Sequence, residues 1–184
     1  MTQKPADLSN WRTAPHNRWS FTHVGDLIPT AAIAHGPAQA LPPGEALDLS
    51  QVKFGEGSLA SFLENASTDG FIALHKGRVV AERYLNMESV SRHILFSVSK
   101  SVTGTLAGVL VADGTLDPDA PVITYLPEVK ASAYGDCTVR HVLDMTVDLG
   151  FVENYLDTQG DFARYRVATG WNPPNPAFGG EGLH

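Results

Sequence analysis

The sequence has a single cysteine, Cys137, among 184 residues, so it can hold no internal disulfide framework. That fits a reducing compartment. Long apolar runs are also missing, and nothing approaches the ~18 consecutive apolar residues that span a bilayer. The opening stretch MTQKPADLSNWRTAPHNRW contains no apolar core of a secretory leader, so the cytoplasm is the expected location. Basic charge is scarce: 13 Lys and Arg stand against 20 Asp and Glu, for a net charge of −7. A phosphate backbone needs a basic surface, and nucleic acid is therefore not expected as a partner. The seven histidines (16, 23, 35, 75, 93, 141 and 184) include no pair four residues apart and no H-E-x-x-H, so no metal site is expected. No cofactor motif occurs. With 43% apolar and 18% charged residues, what remains is an ordinary globular chain.

Residues 1 to about 50, rich in Pro and Ala, read as an extension and connector, with Pro42-Pro43-Gly44 exposed. Gly57 to Asn65 reads as a helix capped by Ser58 or Ser61, with Leu59, Phe62 and Leu63 apolar. Phe71-Ile72-Ala73-Leu74, the turn Lys76-Gly77 and Val79 to Leu85 predict a β-hairpin over 70–86. A helix is expected from Ser97 to about Ala112. Val98, Val102, Leu106, Val109 and Leu110 form its apolar face, and Ser97, Lys100, Gly104 and Gly108 lie opposite. Asp113-Gly114 closes it. Ala120 to Leu126 reads as a short helix, Thr138 to Met145 as another capped by Thr138, and 170–176 as coil. One hairpin leaves a sheet with too few strands to be stable alone, so the chain reads as part of a larger fold.

Ser97-Val98-Ser99-Lys100 carries the chemistry, because it fits the S-x-x-K pattern of serine acyl-enzymes. A hydroxyl attacks poorly until a base within hydrogen-bond reach takes its proton. On a helix, residues i and i+3 are neighbours, so the amine of Lys100 can fold back onto Ser97. Free N–H groups at the helix start can stabilise an oxyanion. The pattern arises cheaply: two of the five lysines have a serine three residues before them, and Ser50-Gln51-Val52-Lys53 is the other match. Ser97 is favoured by its apolar lead-in, Ile94-Leu95-Phe96, and by the small-residue face that carries the lysine. Tyr155 reads as a half-buried loop aromatic, and Asp148, Glu153 and Asp157 as solvated acids. Trp11, Trp19 and Trp171 read as core or hinge aromatics. Cys137 has no histidine beside it, and His141 reads as a packed or capping residue.

Leu95 to Gly104, Asp113-Gly114-Thr115-Leu116-Asp117 and Pro121 to Glu128 together resemble the β-lactamase-related serine hydrolases. Asn17 to His23 and Val139 to Met145 strengthen the likeness, which is greatest to the 6-aminohexanoate-dimer hydrolase (nylon-oligomer hydrolase) branch. The resemblance implies an α+β fold of the β-lactamase and penicillin-binding-protein kind: an antiparallel sheet flanked by helices, plus a helical region. Residues 1–184 would be the N-terminal portion of one such domain. Within it, 1–50 is extension and connector, 51–96 forms the sheet, and 97–184 holds the nucleophile helix and the helical region. It also implies Ser97 as acylated nucleophile, Lys100 as general base and Tyr155 as a substrate-facing tyrosine on a mobile loop. Neither a second-motif tyrosine nor a later-strand third motif is found, and no Lys-Thr-Gly triplet occurs. A C-terminal half, on the same or a separate chain, is therefore the expected partner, a truncated, nicked or remnant chain being the options. The expected activity is cleavage of a small-molecule amide or ester, as an amidase or carboxylesterase, without cofactor or metal. A β-lactamase or penicillin-binding peptidase, and a non-catalytic binding or scaffold fragment, are the alternatives.

Overall fold

The computed structural model describes residues 6–178, which fall into two compact units. The first comprises the chain up to Ile94 together with 171–173, and the second Leu95–Gly170 together with the segment after Trp171–Pro173. Among the described residues no helix is long and apolar enough to cross a membrane.

The first unit opens with a short helix, α1 (Asn17–Ser20). Beside it Trp11 is 1% exposed and stacks on Trp171, with ring centroids 5.3 Å apart. Its indole N–H donates to the Trp171 carbonyl at 3.1 Å, so two of the three tryptophans form a core. Trp19 stays half exposed and stacks on His23 instead. Two minimal strands, β1 (Lys53–Phe54) and β2 (Gly57–Ser58), then lead into helix α2 (Leu59–Asn65). Ser58 caps α2: its hydroxyl accepts from the Ser61 N–H, and Ser61 accepts in return from the Ser58 N–H. This reciprocal pair satisfies two of the donors a helix start leaves orphaned.

Strands β3 (Gly70–His75) and β4 (Arg78–Tyr84) form the expected hairpin, pairing from Gly70 with Tyr84 to His75 with Arg78. Lys76 and Gly77 have φ of 51° and 74°, and positive φ at both central residues is what a type I′ turn requires. Alternation along the hairpin directs Phe71, Ala73 and Ala81 toward Leu49, Leu63 and Leu59, which make the unit's apolar core. The connector around Pro42-Pro43 remains exposed, yet its backbone docks on β4. The Val79 N–H donates to the Pro42 carbonyl, the Gly44 N–H to Val79 and the Leu47 N–H to Val80, at 2.7–2.9 Å.

Asp69 ties this unit together. Its carboxylate, with a side chain 10% exposed, meets the Arg18 guanidinium at 2.9 Å and His93 Nε2 at 3.0 Å. Asn86 completes the link by donating to the Arg18 carbonyl.

The second unit is helical. It holds α3 (Ser99–Ala112), 3₁₀ turns over Val122–Thr124 and Pro127–Ala131, α4 (Val139–Leu143) and α5 (Asp161–Ala168). Thr138 caps α4, and His141 accepts from the Thr138 N–H through Nδ1, which is the capping role its position suggests. Buried Val122, Cys137 and Ala163 mark the packed interior. The apolar face of α3 is left open: Val102, Leu106 and Val109 are 57%, 61% and 58% exposed. Space is also free on the small-residue face, where a Cβ added at Gly104 or Gly108 would meet nothing within 4 Å. The segment expected as coil, 170–176, holds no α-helix or strand, and a 3₁₀ turn follows over Pro176–Phe178.

Candidate active site

The lead-in Leu95-Phe96 places Ser97. Phe96 has φ of 44°, a left-handed conformation uncommon outside glycine, and residues Phe96–Val98 form a 3₁₀ turn. The α-helix itself begins only at Ser99. The helix expected from Ser97 therefore starts two residues later than its apolar spacing indicates, and Ser97 sits on the tighter turn that precedes it. Backbone strain of this kind persists where the surroundings enforce it and is concentrated at functional sites.

Lys100, on the first turn of α3, donates through Nζ to Ser97 Oγ at 3.0 Å. The i, i+3 separation that makes helix neighbours survives the 3₁₀ turn, because three residues per turn brings the same two positions into line. Both residues face solvent. Amine and hydroxyl are thus at proton-transfer distance, beside the N-terminal end of a 14-residue helix whose dipole favours negative charge.

The rival serine is engaged elsewhere. Ser50 donates its hydroxyl to Asp48 at 2.7 Å and accepts from the Gln51 side chain, while Lys53 lies on β1. These bonds from Ser50 hold the Asp48 carboxyl below its usual range. A serine donating to a carboxylate lacks the pairing with its lysine that distinguishes Ser97.

Tyr155 stands on the loop before α5. Its hydroxyl donates to Glu153 at 2.6 Å, and its ring lies 4.3 Å from that of Phe162. The bond to Glu153 raises the tyrosine above its ordinary value, since ionisation would set two negative charges side by side. No hydrogen bond joins Tyr155 to Ser97 or Lys100 among the described residues. Cys137 is buried, and its thiol donates to the Tyr134 carbonyl at 3.2 Å. No group of three or more His, Cys, Asp or Glu among the described residues is placed to hold a metal ion.

Helix α5 was not foreseen. It carries Phe162, Tyr165 and Arg166, whose i, i+3, i+4 spacing was the available signal.

A family model described as Beta-lactamase matches residues 60–178, which include Ser97, Lys100 and Tyr155. The chain belongs to the beta-lactamase family. Within it, the chain is 38% identical over 166 residues to the 6-aminohexanoate-dimer hydrolase of Paenarthrobacter ureafaciens, covering 89% of this chain and 42% of that protein. A solved structure, the putative 6-aminohexanoate-dimer hydrolase from Bacillus anthracis, superposes with a TM-score of 0.81 at 27% identity, over 97% of this chain and 50% of that one. The chain therefore spans about half the length of these relatives. The beta-lactamase-like fold is established by this likeness, and the small antiparallel sheets and helices described above are the part of it that the chain contains.

Proposed function

We propose that this chain supplies the nucleophile half of a serine hydrolase that cleaves amides or esters, linear 6-aminohexanoate-type amides among them, through an acyl-enzyme on Ser97. The observation that carries the reading is the 3.0 Å separation of Lys100 Nζ and Ser97 Oγ. The neutral amine takes the hydroxyl proton, and Oγ forms a bond to the carbonyl carbon. The resulting ammonium returns the proton to the departing amine or alcohol as that bond breaks. Water, deprotonated by the same amine, then releases the acid and restores Ser97. Tyr155 faces the substrate in this reading. A C-terminal half of the same domain, in the same or a separate chain, covers α3 and brings the remaining proton-transfer and oxyanion groups. The two relatives, of which this chain covers 42% and 50%, support that partner, as does the bare apolar face of α3. A single unpaired cysteine supports a cytoplasmic location.

Labelling the native sample with a fluorophosphonate probe, followed by intact and peptide masses, tests this. The expected result is an adduct on Ser97 that disappears in Ser97→Ala. If no adduct forms even with the second half present, the catalytic reading falls and a binding role replaces it. Turnover of a short p-nitrophenyl ester in preference to nitrocefin separates an amidase or esterase from a β-lactamase.

A further inference from the structure

The first unit ends at Ile94, and its last two residues are fastened just before the chain enters the turn that carries Ser97. Ile94 donates its N–H to the Phe21 carbonyl at 2.9 Å, and its own carbonyl lies 2.8 Å from His93 Nδ1. His93 Nε2 lies 3.0 Å from Asp69 Oδ2, and the ring packs edge-on against Phe21 with centroids 6.0 Å apart. Asp69 is itself held. Its other carboxylate oxygen meets Arg18 at 2.9 Å, and its backbone carbonyl accepts from the Leu85 and Asn86 N–H groups past the end of β4.

Both partners of the imidazole are acceptors, a carboxylate and a carbonyl, so the ring serves both only by donating from each nitrogen. Asp69 fixes the ring's orientation through Nε2, and that orientation aims Nδ1 at the Ile94 carbonyl. A side chain bonded to the carbonyl of the very next residue restricts the backbone between them. The backbone that follows needs such restriction. Phe96 has φ of 44°, which an L side chain disfavours, and a conformation of that kind persists only where its surroundings enforce it. Beyond it the chain is held by helical hydrogen bonds, beginning with the Val98 N–H to the Leu95 carbonyl at 3.0 Å. Before it stands the anchored Ile94, with Leu95 as the one residue between anchor and strained position. Ser97 is three residues from Ile94, so a chain of at most about 11 Å joins them. The anchor acts along that chain and requires no contact between the two units.

We propose that His93 is a positioning residue for Ser97: by donating from Nδ1 to the Ile94 carbonyl, with Asp69 orienting the ring, it fixes the backbone that enters the left-handed turn presenting the nucleophile. This rests on the reading of Ser97 as nucleophile.

The test exchanges His93 for the two amides that each keep one of its donors. Gln reaches as far as Nε2 and keeps the bond to Asp69. Asn places its amide nitrogen where Nδ1 stands and keeps the bond to Ile94. In the isotope-labelled 184-residue chain, His93→Gln should move the Phe96 and Ser97 amide and Cα resonances, and His93→Asn should leave them near their parent positions. The urea midpoint of tryptophan fluorescence should run in the opposite order, lower in His93→Asn, where the nearly buried Asp69 carboxylate loses a partner. A merely structural histidine would give the same order in both measurements. Turn resonances that follow the midpoint, or that stay unmoved in His93→Gln, overturn the proposal. A His93 Nδ1 without its hydrogen in the parent, read from its ¹⁵N shift through the ring hydrogens, overturns it even if neither variant folds. Fluorophosphonate labelling of the native sample keeps the two readings apart. His93→Gln should label Ser97 about tenfold to a hundredfold more slowly, the loss that a displacement of ~1 Å brings, and His93→Asn should recover most of the rate. No adduct in the parent removes only the catalytic reading, and an adduct formed at the parent rate in His93→Gln removes only the positioning role.

Discussion

Lys100 Nζ and Ser97 Oγ are 3.0 Å apart although the two residues belong to different kinds of helix, Ser97 to a 3₁₀ turn and Lys100 to the first turn of α3. The pairing therefore depends on the turn as well as on α3, and the left-handed Phe96 sets where that turn begins. Replacing Lys100 by Ala leaves the hydroxyl and its stretch of backbone in place while removing the amine proposed as proton acceptor. Fluorophosphonate labelling of Ser97 should slow by about 10²- to 10⁴-fold, the usual worth of general base catalysis. Ser50→Ala, at the serine that bonds to Asp48, should label like the parent. Labelling rates that are the same in Lys100→Ala and in the parent would remove the lysine from the mechanism.

How much of this was legible in the residues follows how local each signal is. The hairpin was readable because Lys76-Gly77 can adopt two positive φ values between two apolar runs. Ser58 and Thr138 were readable as caps because a cap is settled within four residues. The pairing of Ser97 with Lys100 was readable because i, i+3 brings neighbours together in either helix type. The exact start of α3 was not, since the apolar spacing of Val98, Val102 and Leu106 does not distinguish a 3₁₀ turn from the first turn of an α-helix. Helix α5 was hidden because Arg164 and Arg166 break up its apolar pattern, and its stabilising contacts are ring stacking and cations over rings. The docking of Pro42 to Leu47 on β4 pairs backbone with backbone across more than thirty residues, and no side-chain pattern announces it.

Two glycines of the second unit should respond to alanine with opposite signs. A Cβ at Gly135 would lie 2.2 Å from the Lys130 carbonyl oxygen and 3.0 Å from its carbon, both backbone atoms that cannot swing aside. Gly135→Ala should cost about 2–3 kcal/mol through overpacking. At Gly104 the same methyl meets open space in the middle of α3, and exchanging glycine for the best helix former should stabilise by up to about 1 kcal/mol. Thermal unfolding followed by circular dichroism reads both, and a neutral Gly135→Ala would contradict the close approach.

Asp69 joins Arg18, from α1, to His93, just past the hairpin. Removing a carboxylate that is only 10% exposed strands a cation and an imidazole against it, so Asp69→Ala should destabilise the first unit by about 3 kcal/mol. All three tryptophans belong to this unit, which makes their fluorescence in a urea titration a direct reporter. A midpoint unmoved by the substitution would show that the pair is dispensable.

Tyr155 should titrate above the ordinary tyrosine value of 10.0, because Glu153 accepts its proton-bearing hydroxyl and repels the tyrosinate. The sign follows from that cause. A raised value means that the contribution of the Tyr155–Glu153 bond is complete below the unfolded-state value and fades as pH climbs through the folded one. At neutral pH the hydroxyl therefore keeps its proton, which it gives to Glu153, and is not suited to remove one. Alkaline titration of tyrosinate absorbance should show Glu153→Gln moving this tyrosine down toward its ordinary value. Arg166→Gln should move it up, since the guanidinium over the ring favours the anion. Shifts in the same direction for both variants would mean that the two charges do not act on Tyr155 as their positions require.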